Sequence, residues 1–239
     1  MIRVDSLSIE DGEGNRLLQD MTFKIEEGET VLICGEPGSG KTLLLKAIQG
    51  IVSEGLKQIG DIEKEGKTGL LFQDPEKQMV RRKVRMEAAF DLENLSLPRD
   101  GIKNRIQKYA SILEISTLLD KDINDLSHGE RTQAALLSVL VSEPEILLLD
   151  EPLSSLDHSN QKHLMDSIER LKNRGSTIVI AEHDVRDLIE MSDRVLLVKK
   201  GRILKNCRPE EAKTPLYEEG VKLPFDWELD VRMKGGPRP

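Results

Sequence analysis

Apolar and polar residues alternate from Ile2 to Ile9 and again from Met21 to Ile25, and the turn-like Glu26-Glu27-Gly28-Glu29 feeds an apolar run from Thr30 to Cys34. Period-two alternation fits a strand with one face on a core, and a short continuous apolar run fits a strand covered on both faces. Three early strands are predicted. After a glycine-rich turn, Thr42 to Gln49 carries Leu43, Leu44, Ala47 and Ile48 at the spacing of a helix packed on a sheet. Thr68 to Phe72 reads as another buried strand, and Ile146 to Leu149, Thr177 to Ala181 and Val195 to Val198 as three more, with helical patterns at about 158–173 and 185–191. Between about Glu76 and Glu143 strand character is lost. Leu92 to Leu97 stops at Pro98, and Ile102, Ile106, Tyr109 and Leu113 then mark one helix face. Near-continuous apolar strands alternating with helices predict an α/β fold on a mostly parallel sheet, with the middle stretch as a helical lobe. The tail from Pro209 mixes Pro, Gly and charge, with Phe225 and Trp227 as its expected anchors.

The chain has 239 residues, enough for one domain of two lobes. No apolar run approaches the about 20 residues that cross a bilayer, and the N-terminus lacks the basic-then-apolar layout of a secretory signal. A cytosolic location is expected. In a reducing compartment Cys34 and Cys207, far apart in sequence, read as small hydrophobes rather than a disulfide. A net charge of −8 argues against a broad electrostatic grip on nucleic acid. One local exception is the basic run Arg81-Arg82-Lys83-Val84-Arg85, which fits either a solvated face or contact with anionic lipid or a membrane protein.

Gly35-Glu36-Pro37-Gly38-Ser39-Gly40-Lys41-Thr42 fits G-x-x-x-x-G-K-[ST], after an apolar strand and at the opening of a helix. Glycines let backbone N–H groups curl around phosphate oxygens, and the helix N-terminus adds positive potential. Lys41 is expected to reach the β- and γ-phosphates of a nucleoside triphosphate, and Thr42 to offer its hydroxyl to Mg²⁺. Ile146-Leu147-Leu148-Leu149-Asp150-Glu151 ends a buried strand in two adjacent carboxylates. Asp150 suits the Mg²⁺ shell and Glu151 the polarisation of an attacking water.

Further motifs resemble those of ATP-binding cassette (ABC) ATPases. Leu126-Ser127-His128-Gly129-Glu130 is similar to the family's LSGGQ signature, and Gln73 follows a strand as its Q-loop glutamine does. Ser154-Ser155-Leu156-Asp157 resembles the D-loop, and His183 in Ala181-Glu182-His183-Asp184 the switch histidine. The resemblance covers residues 1 to about 205. It implies a P-loop NTPase fold with an antiparallel β subdomain, a helical subdomain inserted at about 76–143, and a tail at 206–239 that is a candidate dimer contact. It also implies ATP and Mg²⁺ as ligands and a head-to-tail dimer, in which Ser127, Gly129 and Asp157 serve the nucleotide on the partner's phosphate loop. Glu151 would be the base, His183 would steady the γ-phosphate, and Gln73 would touch Mg²⁺ and report nucleotide state to separate membrane subunits. Phe72-Gln73-Asp74-Pro75-Glu76-Lys77-Gln78 and Glu87-Ala88-Ala89-Phe90-Asp91-Leu92-Glu93-Asn94-Leu95 are similar to segments of the energy-coupling factor (CbiO-type) branch, which serves vitamin and metal-ion importers. A location on the cytoplasmic face of the membrane follows from that resemblance.

The sequence departs from the pattern in three places. His128 stands at the first glycine of the signature, and Asp91 replaces a glycine of the branch. Because the signature acts in trans, damage from His128 would fall on a partner's ATP, which favours a heterodimer slightly over a homodimer. Glu10 to Arg16 holds no aromatic where the family stacks one on adenine. That stacking is worth about 1–3 kcal/mol per base, and Arg16 is the candidate to pack on the ring in its place. The competing classes are a non-transport ABC ATPase and a catalytically weak regulatory nucleotide-binding subunit. Against the first, the stretch between Lys41 and Leu126 is too short for a long coiled coil.

Overall fold

The computed structural model describes residues 1–94 and 97–233. The Leu95 end of the Glu87–Leu95 motif and residues 234–239 of the tail lie outside it. Strands β1 (Ile2–Glu10), β2 (Arg16–Ile25) and β4 (Lys57–Lys64) form an antiparallel sheet in the order β2-β1-β4. Strands β3 (Thr30–Cys34), β5 (Thr68–Leu71), β6 (Ile146–Asp150), β7 (Thr177–Glu182), β8 (Arg194–Lys199) and β9 (Arg202–Cys207) form a second sheet in the order β5-β6-β7-β3-β8-β9. All its pairings are parallel except β8 with β9. The expected mostly parallel α/β core with an antiparallel sheet beside it is what the chain forms.

The apolar runs are continuous because the parallel strands are buried on both faces. Alternate residues serve different cores. Leu32, Leu147, Leu149, Ile178, Ile180, Val195 and Leu197 join the core beneath the helical lobe, whereas Val31, Ile33, Ile146, Leu148, Val179, Leu196 and Val198 join the core shared with the antiparallel sheet and α1 (Lys41–Gln49). The helical lobe comprises α2 (Val84–Asn94), α3 (Arg99–Ile112) and α4 (His128–Leu140). Arg85 ties its start to Asp120 through two hydrogen bonds of 3.0 and 3.1 Å, Arg82 pairs with Asp122, and Arg81 lies over the Phe90 ring. Three arginines of the basic run are thus engaged within the lobe.

The structure departs from the expected elements in several places. β4 and β9 were not anticipated, because neither has a buried residue and most of their side chains are exposed. Their place is set by backbone pairing to β1 and β8, which leaves no periodic apolar signal. β2 begins five residues before the alternation at Met21 becomes legible, with exposed Arg16 and Leu17. Residues 185–191, expected as a helix, instead form hydrogen-bonded turns, with Leu188 and Ile189 N–H both donating to the Val185 carbonyl. This segment is pinned at both ends, by the Asp184–Lys222 bridge and by reciprocal Asp193–Thr30 hydrogen bonds of 2.8 Å. Its apolar residues Val185, Leu188 and Ile189 are fully buried without a helix. α2 is described as far as Asn94, and the expected Leu92–Leu97 stretch lies partly outside the described residues.

After β6, α5 (His158–Lys172) covers the sheet, and the tail folds as α6 (Pro209–Glu218) and α7 (Phe225–Met233). Trp227 anchors the tail as expected, with Lys213 Nζ 4.5 Å from its ring centroid, but Phe225 is 80% exposed. Further anchors include Leu216, Tyr217, Val221 and Leu223, which join the same core as the helical lobe. Cys34 is buried and Cys207 half-buried, and both are free thiols. Burial pushes the Cys34 thiol far above its ordinary range, as suits a core residue.

Leu148 has no exposed surface at the centre of β6. Leu148→Ala should cost about 2–5 kcal/mol in urea unfolding, whereas Leu204→Ala on the exposed face of β9 should stay within about 0.5 kcal/mol.

Candidate functional site

Strands β5, β6, β7 and β3 are parallel neighbours, so their carboxyl ends open on one edge of the sheet. Each end delivers one part of the motif set: Gln73 follows β5, Asp150 and Glu151 close β6, Glu182 and His183 close β7, and the glycine-rich loop follows β3. Crevices at strand carboxyl ends are where open α/β sheets bind ligands.

Gly35 to Gly40 wraps into the N-terminus of α1, whose cap residue Gly40 has φ 108°. A side chain there would be strained, and its Cβ would strike Leu18 at 2.7 Å. No side chain caps this helix, so its first N–H groups are open to an anion. A cavity of about 330 Å³ lies over the loop, lined among others by Gly38, Gly40, Lys41, Thr42 and Glu151. Lys41 is buried, and its Nζ donates to the carbonyls of Gly35 (2.8 Å) and Glu36 (3.1 Å), which folds the ammonium back over the loop. Burial holds its pKa below the ordinary lysine value, against the opposing pull of Glu151 and Glu182. An incoming polyphosphate would restore the charge balance.

Thr42 Oγ1 donates to Asp150 Oδ1 at 2.9 Å. Burial raises the Asp150 carboxyl above the usual range, and this hydrogen bond works the other way. Hydroxyl and carboxylate oxygens are the donors that Mg²⁺ prefers, and two of them here converge beside the phosphate loop. The residues present therefore fit the cation.

Glu151 has a left-handed backbone, φ 45°. For a non-glycine residue this conformation costs about 1–3 kcal/mol and persists only where neighbours enforce it. Its N–H donates to Ala181 O at 2.8 Å, while its carbonyl accepts from Ser154 N–H (3.1 Å) and Ser154 Oγ (2.7 Å). The carboxylate is thereby aimed into the crevice. One oxygen lies 3.9 Å from Lys41 Nζ, and the other accepts from Gln73 Nε2 at 2.9 Å and lies 3.6 Å from His183 Nδ1.

The remaining motif residues gather elsewhere. Ser127 caps α4: its Oγ accepts the Glu130 N–H at 3.2 Å while Glu130 Oε2 accepts the Ser127 N–H at 2.8 Å. This reciprocal box leaves the Ser127 O–H free to donate. His128 is the first residue of the helix, half-buried, and its carbonyl accepts from Thr132 Oγ1. Gly129 packs so closely on Asn160 that a Cβ would fall 2.2 Å from it. Asn160 in turn donates its N–H and side-chain amide to the two Asp157 oxygens, at 3.0 and 2.7 Å. Asp157 thus acts as the cap of α5 and, with Asn160, joins the D-loop to the signature. Arg131 connects the signature to the segment after Gln73: it pairs with Glu76 and donates to the carbonyls of Ile123 and Asn124. Arg16, the candidate for adenine packing, pairs with Glu10 at 3.1 Å across the hairpin.

Sequence reasoning missed Asn160 and Glu182. Asn160 gave no signal of its own. Glu182 is an acid directly before the motif histidine, at the end of an apolar strand, and that position was a signal.

Phosphate loop, paired acids, and a fold wound on both faces define a nucleotide-binding α/β protein. The ABC transporter family model matches residues 18–154. The chain is 35% identical over 217 residues to a putative ABC transporter ATP-binding protein of Sulfurisphaera tokodaii, a match covering 83% of this chain and 45% of that relative's length. It is 31% identical over 231 residues to the energy-coupling factor transporter ATP-binding protein EcfA1 of Bacillus licheniformis, covering 91% of this chain and 82% of the relative. The solved structure of CbiO1 from Clostridium perfringens, described as part of the ABC transporter complex cbiONQ, superposes with a TM-score of 0.83 at 28% identity over 98% of this chain and 96% of that one. The chain belongs to the ABC transporter family as an ATP-binding domain, and its relatives include ATPases of the energy-coupling factor and CbiO type.

Replacing Lys41 by Ala removes the buried ammonium over the loop. MgATP affinity, measured by calorimetric titration, should weaken by about 2–5 kcal/mol. Unchanged affinity would exclude the loop as the nucleotide site.

Proposed function

We propose that this chain hydrolyses ATP as the motor subunit of an energy-coupling factor type importer, with separate membrane subunits carrying the transport path. The observation that carries the reading is Glu151, held in a strained backbone so that its carboxylate meets Lys41, Gln73 and His183 at the mouth of the phosphate loop. ATP would lie with its phosphates on the loop N–H groups and on Lys41. Mg²⁺, bound through Thr42 and Asp150, would neutralise phosphate charge in the transition state. Glu151 would take a proton from the attacking water as its oxygen bonds to the γ-phosphorus. The bond from phosphorus to the β,γ-bridging oxygen breaks, and ADP and phosphate leave. His183 would steady the γ-phosphate. Gln73, already bonded to Glu151, would sense whether the site is filled and pass that state to the segment at Glu76 and Arg131.

Ser127 is bonded to Glu130, and Gly129 packs on the Asn160–Asp157 cap of α5, an arrangement that supports their service to the nucleotide on a second cassette. A pair of different subunits suits His128, whose imidazole stands where close approach to a γ-phosphate favours glycine. The importer assignment rests on likeness to EcfA1 and CbiO1. A vitamin or a metal ion is the cargo class this branch suggests. Among the described residues no helix is long and apolar enough to cross a membrane, so association with the cytoplasmic face would run through the membrane subunits.

Glu151→Gln should keep MgATP affinity while lowering turnover by about 10²–10⁴-fold, because the amide keeps the shape and loses the proton acceptor. Wild-type turnover in that variant would assign the base to another group. In a co-expressed pair with a second cassette, Glu151→Gln should cost more activity than the same change in the partner, and His128→Gly should raise turnover. Equal losses from the two glutamate changes would remove the argument for asymmetry.

A further inference from the structure

The crevice holds one acid more than hydrolysis uses. Glu182, the last residue of β7, is 1% exposed, and neither the phosphate loop nor the Mg²⁺ donors employ it. Its Oε1 accepts the His183 backbone N–H at 2.9 Å and lies 2.9 Å from His183 Nδ1. Two atoms of this pair, Glu182 Oε2 and His183 Nδ1, are buried without a hydrogen-bond partner. Buried polar atoms left unpaired are costly, and such an orphaned pair in one crevice calls for a physical explanation. A proton on the carboxyl, donated from Oε1 to Nδ1, would give the ring nitrogen its partner.

The surroundings say where the ring's own proton must be. The Nδ1 edge faces Glu182 and, at 3.6 Å, Glu151, while the side chain as a whole is 37% exposed, so Nε2 is the nitrogen left for a ligand. A bare Nε2 lone pair would repel an anionic phosphate oxygen, and only Nε2–H can donate to one. The carboxyl of Glu182 also sits in poor surroundings for a free charge: burial raises its pKa, and the Glu151 charge adds to that.

We propose that Glu182 is a positioning residue for His183: its protonated carboxyl donates to Nδ1, which fixes the ring and leaves the single imidazole proton on Nε2, where it is donated to the γ-phosphate. The assignment rests on the reading of His183 as the γ-phosphate contact. Glu182 touches no substrate and acts through the ring.

The test compares Glu182→Met, Glu182→Gln and His183→Ala in the full chain, with steady-state ATPase kinetics and ¹⁵N NMR of the histidine rings, the His183 signals being those lost in His183→Ala. Wild type should show the Nε2–H tautomer. Glu182→Met should show mixed tautomers and a kcat lower by at least about tenfold, by analogy with partners that orient metal-bound histidines, with KM for ATP little changed. The Glu182→Gln amide can donate to Nδ1, so it should keep the Nε2–H tautomer and most of kcat. A Glu182→Met protein with wild-type tautomer or wild-type kcat overturns the proposal. Should Glu182→Met not fold, the Gln variant decides: an Nδ1–H ring overturns the proposal, and an Nε2–H ring with high kcat supports it. Full activity in His183→Ala would instead remove the reading of His183 itself, a separate failure.

Discussion

Parallel pairing of β5, β6, β7 and β3 is the constraint on which the site depends. Parallel strands hydrogen-bonded in register must end together, so the residues that follow them are neighbours however far apart they stand in the chain. The pairing itself needs both faces covered, which the helical lobe, α5 and the tail do on one side and α1 with the antiparallel sheet on the other. Loss of either cover would expose strands whose side chains are apolar in both directions, so the two cores and the site form one cooperative arrangement.

Within that frame, charge is concentrated against the preferences of a low-dielectric interior. Asp150 and Glu182 are buried, Glu151 is nearly so, and Lys41 is the buried cation among them. Burial raises the two buried acids and lowers Lys41, so each group is held toward its neutral form. Such a site is poorly satisfied by itself and well satisfied by a polyphosphate with its divalent cation, which is how binding energy becomes available to reorganise a protein. The strained backbone of Glu151 belongs to the same economy, since its geometry is enforced by β7 and by Ser154 rather than preferred by the residue.

Two contacts connect this crevice to distant parts of the chain. Gln73 bonds to Glu151 at one end of its segment, and Glu76 pairs with Arg131 at the other, three residues on. Arg131 lies in the first turns of α4 behind the Ser127 cap, whose neighbour Gly129 touches the Asn160–Asp157 cap of α5. A displacement of Gln73 therefore has a continuous packed route to the surface that presents the signature. That route is a set of physical contacts, and double-mutant cycles along it measure the coupling energy it carries.

The chemistry of the site was legible in the sequence because its parts are local: glycines where phosphate must approach backbone, a lysine and threonine opening a helix, and adjacent acids ending an apolar run. The buried strands were legible for the same reason, since their environment is uniform along the run. The sequence by itself could not order those strands, because order is set by long-range pairing that leaves no periodicity. Nor could it find β4 and β9, whose place comes from backbone hydrogen bonds with exposed side chains. It suggested a helix at 185–191 from apolar spacing, where tethers at Asp184 and Asp193 allow only turns that bury the same residues. It proposed both Phe225 and Trp227 as anchors, and the direction in which α7 meets the core buries only Trp227 of the two. Glu182 and Asn160 became functional candidates only once the fold set one against the ring of His183 and the other between Gly129 and Asp157, because contact across elements is decided by packing and not by the identity of the residue.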